Sequence, residues 1–274
     1  MRSPGGVETM MALPIVEVHG ERFHCRVDGP ADAPVVVLSN SLGTTFAMWD
    51  AQMSALTARF RVMRYDTRGH GASVISPGGY ALDTLGRDVL GLLDALKIPR
   101  AHFCGLSMGG AVGMWLALNA PERIDRLVLA DTAAKFGTAE RWNARIEAVR
   151  QGGVGAIADG VLEGWFTARF RERAPEAVAR LRQMLLAAPT EGYLASCAAV
   201  RDVDLRNLID RIASPTLVMV GTHDVPTPPA QARALAESIP GARYIELDAA
   251  HISNIEAAER FTAEVVGFLT AETR

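Results

Sequence analysis

Only three cysteines occur in the 274 residues, and no two stand close together: Cys25, Cys104 and Cys197. An odd, scattered set without a Cys-x-x-Cys pair excludes a disulfide scaffold and a zinc cluster. Free thiols fit a reducing cytoplasm, and no cofactor or metal is expected. No apolar run approaches the roughly 18 residues of a membrane span, so a membrane partner is not expected. The opening Met1-Arg2-Ser3-Pro4-Gly5-Gly6 leads into no apolar stretch. Residues 1–12 therefore read as a disordered leader and not as a signal peptide. There is no basic excess either: the formal net charge is −3, which argues against nucleic acid as a partner. Lysine is reduced to Lys97 and Lys135, a bias that carries no functional weight by itself.

The remainder is an ordinary globular composition. Apolar residues make up 49% and charged ones 22%, which excludes a disordered chain. A chain of this length buries roughly three quarters of its unfolded surface. That suits one large domain, or one domain with an insertion.

From Ile15 onward, strand and helix patterns alternate. Residues 15–18 and 23–27 read as a hairpin about His19-Gly20, and 35–38 as a strand buried on both faces. Helical spacing follows over 46–60, 82–96, 108–118, 230–238 and 255–269, and strands over 61–65, 101–104, 126–129, 216–220 and 243–247. The fold class is α/β, with a mostly parallel central sheet and helices on both faces. One region breaks the rhythm. Residues 135–200 read as helical throughout, inserted after the sixth strand as a cap over the sheet's C-terminal edge. The core is then 13–134 and 201–274. Between Lys135 and Thr190, eight arginines and Lys135 face six acids, a positive excess within a negative chain.

Gly105-Leu106-Ser107-Met108-Gly109 carries the strongest chemical signal. The bare Gly-x-Ser-x-Gly pattern is weak. Between a strand and a helix it is strong, because the glycines permit a turn sharp enough to hold the serine above the sheet edge. The helix N-terminus then aims free N–H groups at the same point. A nucleophilic serine needs a base, and with such an elbow the chain order is serine, acid, histidine. Only His223 and His251 follow Ser107. His251 lies between the last strand and the last helix, where the base belongs. For the acid, Asp224 follows the strand at 216–220, and Asp131, after 126–129, is the alternative. The oxyanion of such chemistry needs two backbone donors. Met108 N–H is one, and Leu42 N–H in Ser39-Asn40-Ser41-Leu42-Gly43-Thr44 is the other. Asp66 and His70, in Asp66-Thr67-Arg68-Gly69-His70-Gly71, read as a structural turn. In the insertion, Trp142 and Arg145 are three residues apart on one helix face. Taken alone, they could equally be a core tryptophan and a solvated arginine.

These motifs, together with Met48-Trp49, Arg64-Tyr65-Asp66-Thr67-Arg68-Gly69-His70-Gly71, Gly221-Thr222-His223-Asp224 and His251-Ile252-Ser253-Asn254-Ile255-Glu256, resemble the 3-oxoadipate enol-lactonases of the α/β-hydrolase superfamily. The resemblance runs from about Ile15 to Leu269. Asn40 and Ser41 stand where relatives of the wider superfamily usually carry His-Gly, and Asn40-Ser41-Leu42-Gly43 is among the motifs more specific to the lactonase group. The resemblance implies the α/β-hydrolase fold and a serine hydrolase, a carboxylic ester hydrolase of aromatic degradation through the β-ketoadipate pathway. It also implies a small anionic lactone as substrate, with Trp142 and Arg145 lining the pocket. Two other readings share the fold: a general carboxylesterase or carbon–carbon bond hydrolase, and a ligand receptor with slow turnover.

Overall fold

The short apolar runs become the middle of one sheet. The computed structural model describes residues 14–271, so the expected leader at 1–12 lies outside the described residues. The strands are β1 (Ile15–Val18), β2 (Glu21–Asp28), β3 (Val35–Ser39), β4 (Arg61–Tyr65), β5 (Ala101–Leu106), β6 (Ile124–Ala130), β7 (Thr216–Gly221) and β8 (Arg243–Leu247). Their spatial order is β1-β2-β4-β3-β5-β6-β7-β8. The β1–β2 and β2–β4 pairs are antiparallel and all others parallel. Every residue of β5 and β7 is buried. Successive strand side chains point to opposite faces, so both faces of the sheet are covered there.

The helices are α1 (Asp50–Thr57), α2 (Leu82–Ala95), α3 (Met108–Asn119), α4 (Ala139–Gly152), α5 (Ala158–Trp165), α6 (Ala168–Arg173), α7 (Pro175–Leu186), α8 (Thr190–Asp202), α9 (Pro229–Ser238), α10 (Ser253–Glu256) and α11 (Ala258–Leu269). Helix α3 is buried all round from Met108 to Ala117, as suits an apolar helix deep in the core. It packs on β5 and β6. Two expected helices are broken. The segment at 46–60 opens with a 3₁₀ turn, Phe46–Trp49, before α1. The segment at 255–269 is interrupted at Ala257, with φ −118° and ψ 43°. In the second case tertiary bonds override local propensity. Asn254 donates to the Met48 carbonyl at 2.9 Å, and buried Glu256 turns away to bind residues outside its own helix.

Helices α4 to α8 fill the interval between β6 and β7. The ends of this interval are joined by a bridge between Lys135 and Asp204, with Lys135 Nζ 3.1 Å from Asp204 Oδ2. Among the described residues no helix is long and apolar enough to cross a membrane.

The turn after β4 is anchored by charge. Buried Arg68 donates to both Asp88 carboxylate oxygens, at 2.8 and 2.6 Å, and to Glu21. Removing one partner of a buried pair leaves the other charge uncompensated, at a cost of about 3–5 kcal/mol. Arg68→Met is therefore expected to lower unfolding free energy by about that amount in urea titration. A loss below about 1 kcal/mol would show that the pair contributes little.

Candidate active site

Ser107 joins β5 to α3 at φ 57° and ψ −115°. A non-glycine residue in this region stores of order 1–3 kcal/mol, so its surroundings must hold it there. Ser107 N–H donates to the Ala130 carbonyl at 2.9 Å, and Thr132 Oγ1 donates to the Ser107 carbonyl at 2.7 Å. A Cβ on Gly105 would stand 2.1 Å from the Gly109 oxygen, and one on Gly109 2.2 Å from the Ser39 oxygen. Both motif glycines are thus required by close backbone approach, not only by turn geometry.

His251 Nε2 lies 2.9 Å from Ser107 Oγ, and its Nδ1 2.9 Å from Asp224 Oδ2. A carboxylate accepts only, so the proton rests on Nδ1 and the Nε2 lone pair faces the serine hydroxyl. Asp224 is itself fixed. It accepts Thr227 N–H at 2.9 Å and Thr227 Oγ1–H at 2.8 Å. Asp131, the alternative acid, is fully buried but turned elsewhere, accepting Gly221 N–H at 2.8 Å and bonding Ser253 Oγ at 2.5 Å. Burial, and then the charge of Asp224, push its carboxyl well above the ordinary range. His223 is exposed and 3.3 Å from Asp248.

Neither Leu42 N–H nor Met108 N–H has a protein acceptor among the described residues. Their loop is braced from behind. Asn40 Nδ2 donates to the Tyr65 carbonyl at 2.7 Å, Asn40 Oδ1 accepts Trp49 Nε1–H at 2.9 Å, and the Asn40 carbonyl accepts Gly109 N–H at 3.0 Å. Asparagine at this position therefore locks the loop to the sheet. Asp66 and His70 form the turn expected of them. Asp66 accepts Phe46 N–H at 2.9 Å and pairs with His24 Nδ1 at 2.8 Å.

A cavity of about 600 Å³ opens over Ser107, Leu42 and His251, walled by Trp142, Arg145 and Val161 among others. The Arg145 guanidinium stands 5.3 Å from the Trp142 ring and 5.6 Å from the Tyr193 ring, and it bonds the Tyr193 hydroxyl at 2.5 Å. Burial raises the pKa of Tyr193, which stays protonated. Arg145 Nε is buried without an acceptor, and no carboxylate among the described residues pairs with this guanidinium. Trp142 is pinned by its Nε1–H to the Phe136 carbonyl at 2.6 Å.

Sequence reasoning missed four supporting residues. Thr227 was legible as the third residue after Asp224, since such a carboxylate commonly receives a nearby backbone N–H. Glu256 was visible in a motif, but nothing local shows its reach to Thr167 N–H, 3.1 Å, and Ala250 N–H, 3.0 Å. Tyr193 and the bracing role of Asn40 depend on contacts far apart in the chain.

This fold and site define a class. The α/β-hydrolase fold family matches residues 34–258, and the chain belongs to that family. Within it, the chain is similar to the 3-oxoadipate enol-lactonases. It is 44% identical to 3-oxoadipate enol-lactonase 2 of Acinetobacter baylyi over 86% of this chain and 89% of that one. Identity to enol-lactonase 1 of the same organism is 37%, over 94% and 97%. The solved enol-lactonase of Burkholderia xenovorans superposes with a TM-score of 0.93 at 50% identity, covering 94% of this chain and all of that one.

The state of Asp131 has a consequence for stability. An acid whose pKa is raised on folding keeps its proton in the folded chain after the unfolded chain has released it. Stability contributed by the group is thus greatest below the unfolded value near 3.8 and falls as pH rises above it. Asp131→Asn, which carries no charge to bury, is expected to be more stable than wild type at pH 8, with the difference shrinking toward pH 5. Denaturant titration across that range tests it. A variant equally destabilised at both ends would mean that the lost hydrogen bonds outweigh the burial of charge.

Proposed function

We propose that this chain hydrolyses 3-oxoadipate enol-lactone to 3-oxoadipate, as part of aromatic degradation by the β-ketoadipate pathway. The observation that carries the reading is the pairing of a serine–histidine–aspartate relay with an uncompensated guanidinium in one cavity. Ser107 Oγ attacks the lactone carbonyl while His251 Nε2 takes its proton. Asp224 holds the imidazole in the required tautomer and stabilises its charged form. Leu42 and Met108 N–H groups hold the tetrahedral oxyanion. Collapse breaks the ring C–O bond as protonated His251 returns its proton to the leaving oxygen, giving an acyl-enzyme whose chain carries the enol. Water, deprotonated by His251, then releases the acid. Arg145 receives the substrate carboxylate, and Trp142 covers the ring and excludes water. In this reading residues 135–200 are the specificity cap, and 13–134 with 201–274 the catalytic core. The place of action is the cytoplasm, in keeping with three buried, unpaired thiols.

The direct test is turnover of freshly prepared 3-oxoadipate enol-lactone by the purified protein, against simple aryl esters. Higher kcat/KM on the aryl esters would overturn the assignment. Ser107→Ala is expected to lower kcat by several orders of magnitude with the fold intact. Asp224→Asn is expected to cost on the order of 10⁴-fold, and Asp131→Asn far less. The reverse ranking would move the acid role to Asp131.

Arg145 separates charged from neutral substrates. A charge-assisted hydrogen bond of this kind contributes roughly 1.5–3 kcal/mol. Arg145→Ala is expected to raise KM for the anionic lactone about 10- to 150-fold and to spare a neutral ester. Arg145→Lys recovers part of the loss, since lysine lacks the planar fork. Equal losses on both substrates would make Arg145 a support of the cap and shift the search to Arg141 or Arg150.

A further inference from the structure

A second cavity, of about 340 Å³, lies behind the loop that carries Leu42. Thr44, Thr45 and His70 line one side, and Arg180, Gln183 and Met184 of α7 the other. Empty space beside Thr44 and Thr45 means that close packing does not hold that part of the loop. Its hydrogen bonds must be considered one by one. Thr44 N–H and Oγ1–H both go to the Ser41 carbonyl, at 3.2 and 2.7 Å, and so close the loop on itself. Ser41 N–H and Thr45 N–H reach only the sulfur atoms of Met48 and Met184, at 3.4 and 3.0 Å. Sulfur is a weak acceptor. Asn40 locks the start of the loop to the sheet, but from Ser41 to Thr45 one strong bond among the described residues leaves for the body of the protein: Gly43 N–H donates to His70 Nε2 at 2.9 Å.

The acceptor is prepared for this donor. His70 Nδ1 lies 3.2 Å from the Arg68 carbonyl, an oxygen that can only accept. The proton therefore sits on Nδ1 and the lone pair on Nε2. The ring is 1% exposed, and burial lowers its pKa and keeps it neutral. Gly43 itself adopts φ +80° and has the Tyr193 ring and Leu185 against its α-carbon. It is held from the cap side by packing and from the core side by the histidine.

We propose that His70 is a positioning residue for the reaction: by accepting Gly43 N–H it fixes the Leu42–Gly43 peptide, and with it the Leu42 amide one residue back, at the place where the oxyanion forms. The inference rests on Leu42 being an oxyanion donor, and the test separates the two. His70→Leu keeps bulk without an acceptor. His70→Gln places an amide oxygen close to the position of Nε2. Competent sites are counted at completion with a fluorophosphonate, so that misfolded protein does not enter kcat. Removal of a whole oxyanion donor costs about 10²–10³ in kcat. A donor left in place but poorly aimed is expected to cost about 10- to 100-fold per competent site in His70→Leu, with KM changed less than about 3-fold. Affinity for phenylboronic acid, whose serine adduct is tetrahedral, should fall by a similar factor. His70→Gln should recover most of both losses. A purely structural histidine would instead reduce the number of competent sites and leave kcat per site unchanged, and that result overturns the proposal. Equal losses in the leucine and glutamine variants would assign the effect to ring volume and overturn it too. Leu42→Pro, which deletes the N–H itself, decides where a failure lies. If it leaves kcat and boronate affinity untouched, the oxyanion reading falls and the role of His70 with it. If it lowers both while His70→Leu lowers neither, only the role of His70 falls.

Discussion

A single backbone conformation sets the terms for the rest of the molecule. Ser107 at φ 57° is strained, and strain persists only where surrounding structure over-determines it. The Ser107 peptide is therefore tied to β6 through Ala130 and to the following segment through Thr132. The two motif glycines let α3 and the Ser39 carbonyl approach until no Cβ would fit. The same approach brings the β3 loop, with Leu42, beside the first turn of α3. Nucleophile and oxyanion donors are thus consequences of one close contact between β3, β5 and α3. An apolar α3, buried all round from Met108 to Ala117, follows as well, because a helix held that deep has no solvent face over those turns.

The base is delivered by a second, independent support. His251 lies on the buried loop after β8, and α10 holds that loop through Glu256. That carboxylate takes Ala250 N–H on the histidine loop and Thr167 N–H at the start of α6. Ile252 N–H adds a bond to the Trp165 carbonyl at 3.1 Å. The loop bearing His251 is therefore fastened to the end of α5 and the start of α6, and α5 also walls the cavity through Gly160, Val161 and Gly164. The aim of the imidazole and one wall of the cavity thus share a frame.

What could be read from the residues follows from how local each signal is. The strand–turn–helix elbow and the alternation of strands and helices are local patterns, and both are present in the fold; the order of serine, acid and histidine is a sequential one. The choice of Asp224 over Asp131 was legible only as a position after a strand. What separates them physically is direction, since Asp131 is occupied by Gly221 and Ser253. Trp142 and Arg145 could be seen as neighbours on a helix face. Their electrostatic meaning depends on Tyr193, 48 residues further on, and on the lack of a counter-ion. The break at Ala257 was not legible, because it arises from buried polar side chains bonding across the chain, which no hydrophobic period reports.

A lactone places one more demand on this site than an open ester does. When the ring C–O bond breaks, the leaving oxygen remains attached to the acyl group. Tethered nucleophiles reach effective molarities of about 10⁵–10⁸ M, far above that of any competing water. Return to the lactone is therefore the reaction to suppress. In 3-oxoadipate the free carboxylate lies two carbons from the oxo carbon and at the far end from the other carboxyl. In the proposed reading Arg145 meets the leaving-oxygen end of the opened chain, not the acyl end held by Ser107. A guanidinium already clamped between Trp142 and Tyr193 does not move with that end. Under that proposal, holding this end in a cavity of about 600 Å³ would keep the enol oxygen away from the acyl carbonyl and leave room for water beside His251. Protonation of the enol on carbon then gives a ketone, which is no longer a nucleophile. The contact proposed to select an anionic substrate would thereby also favour the forward direction of its hydrolysis.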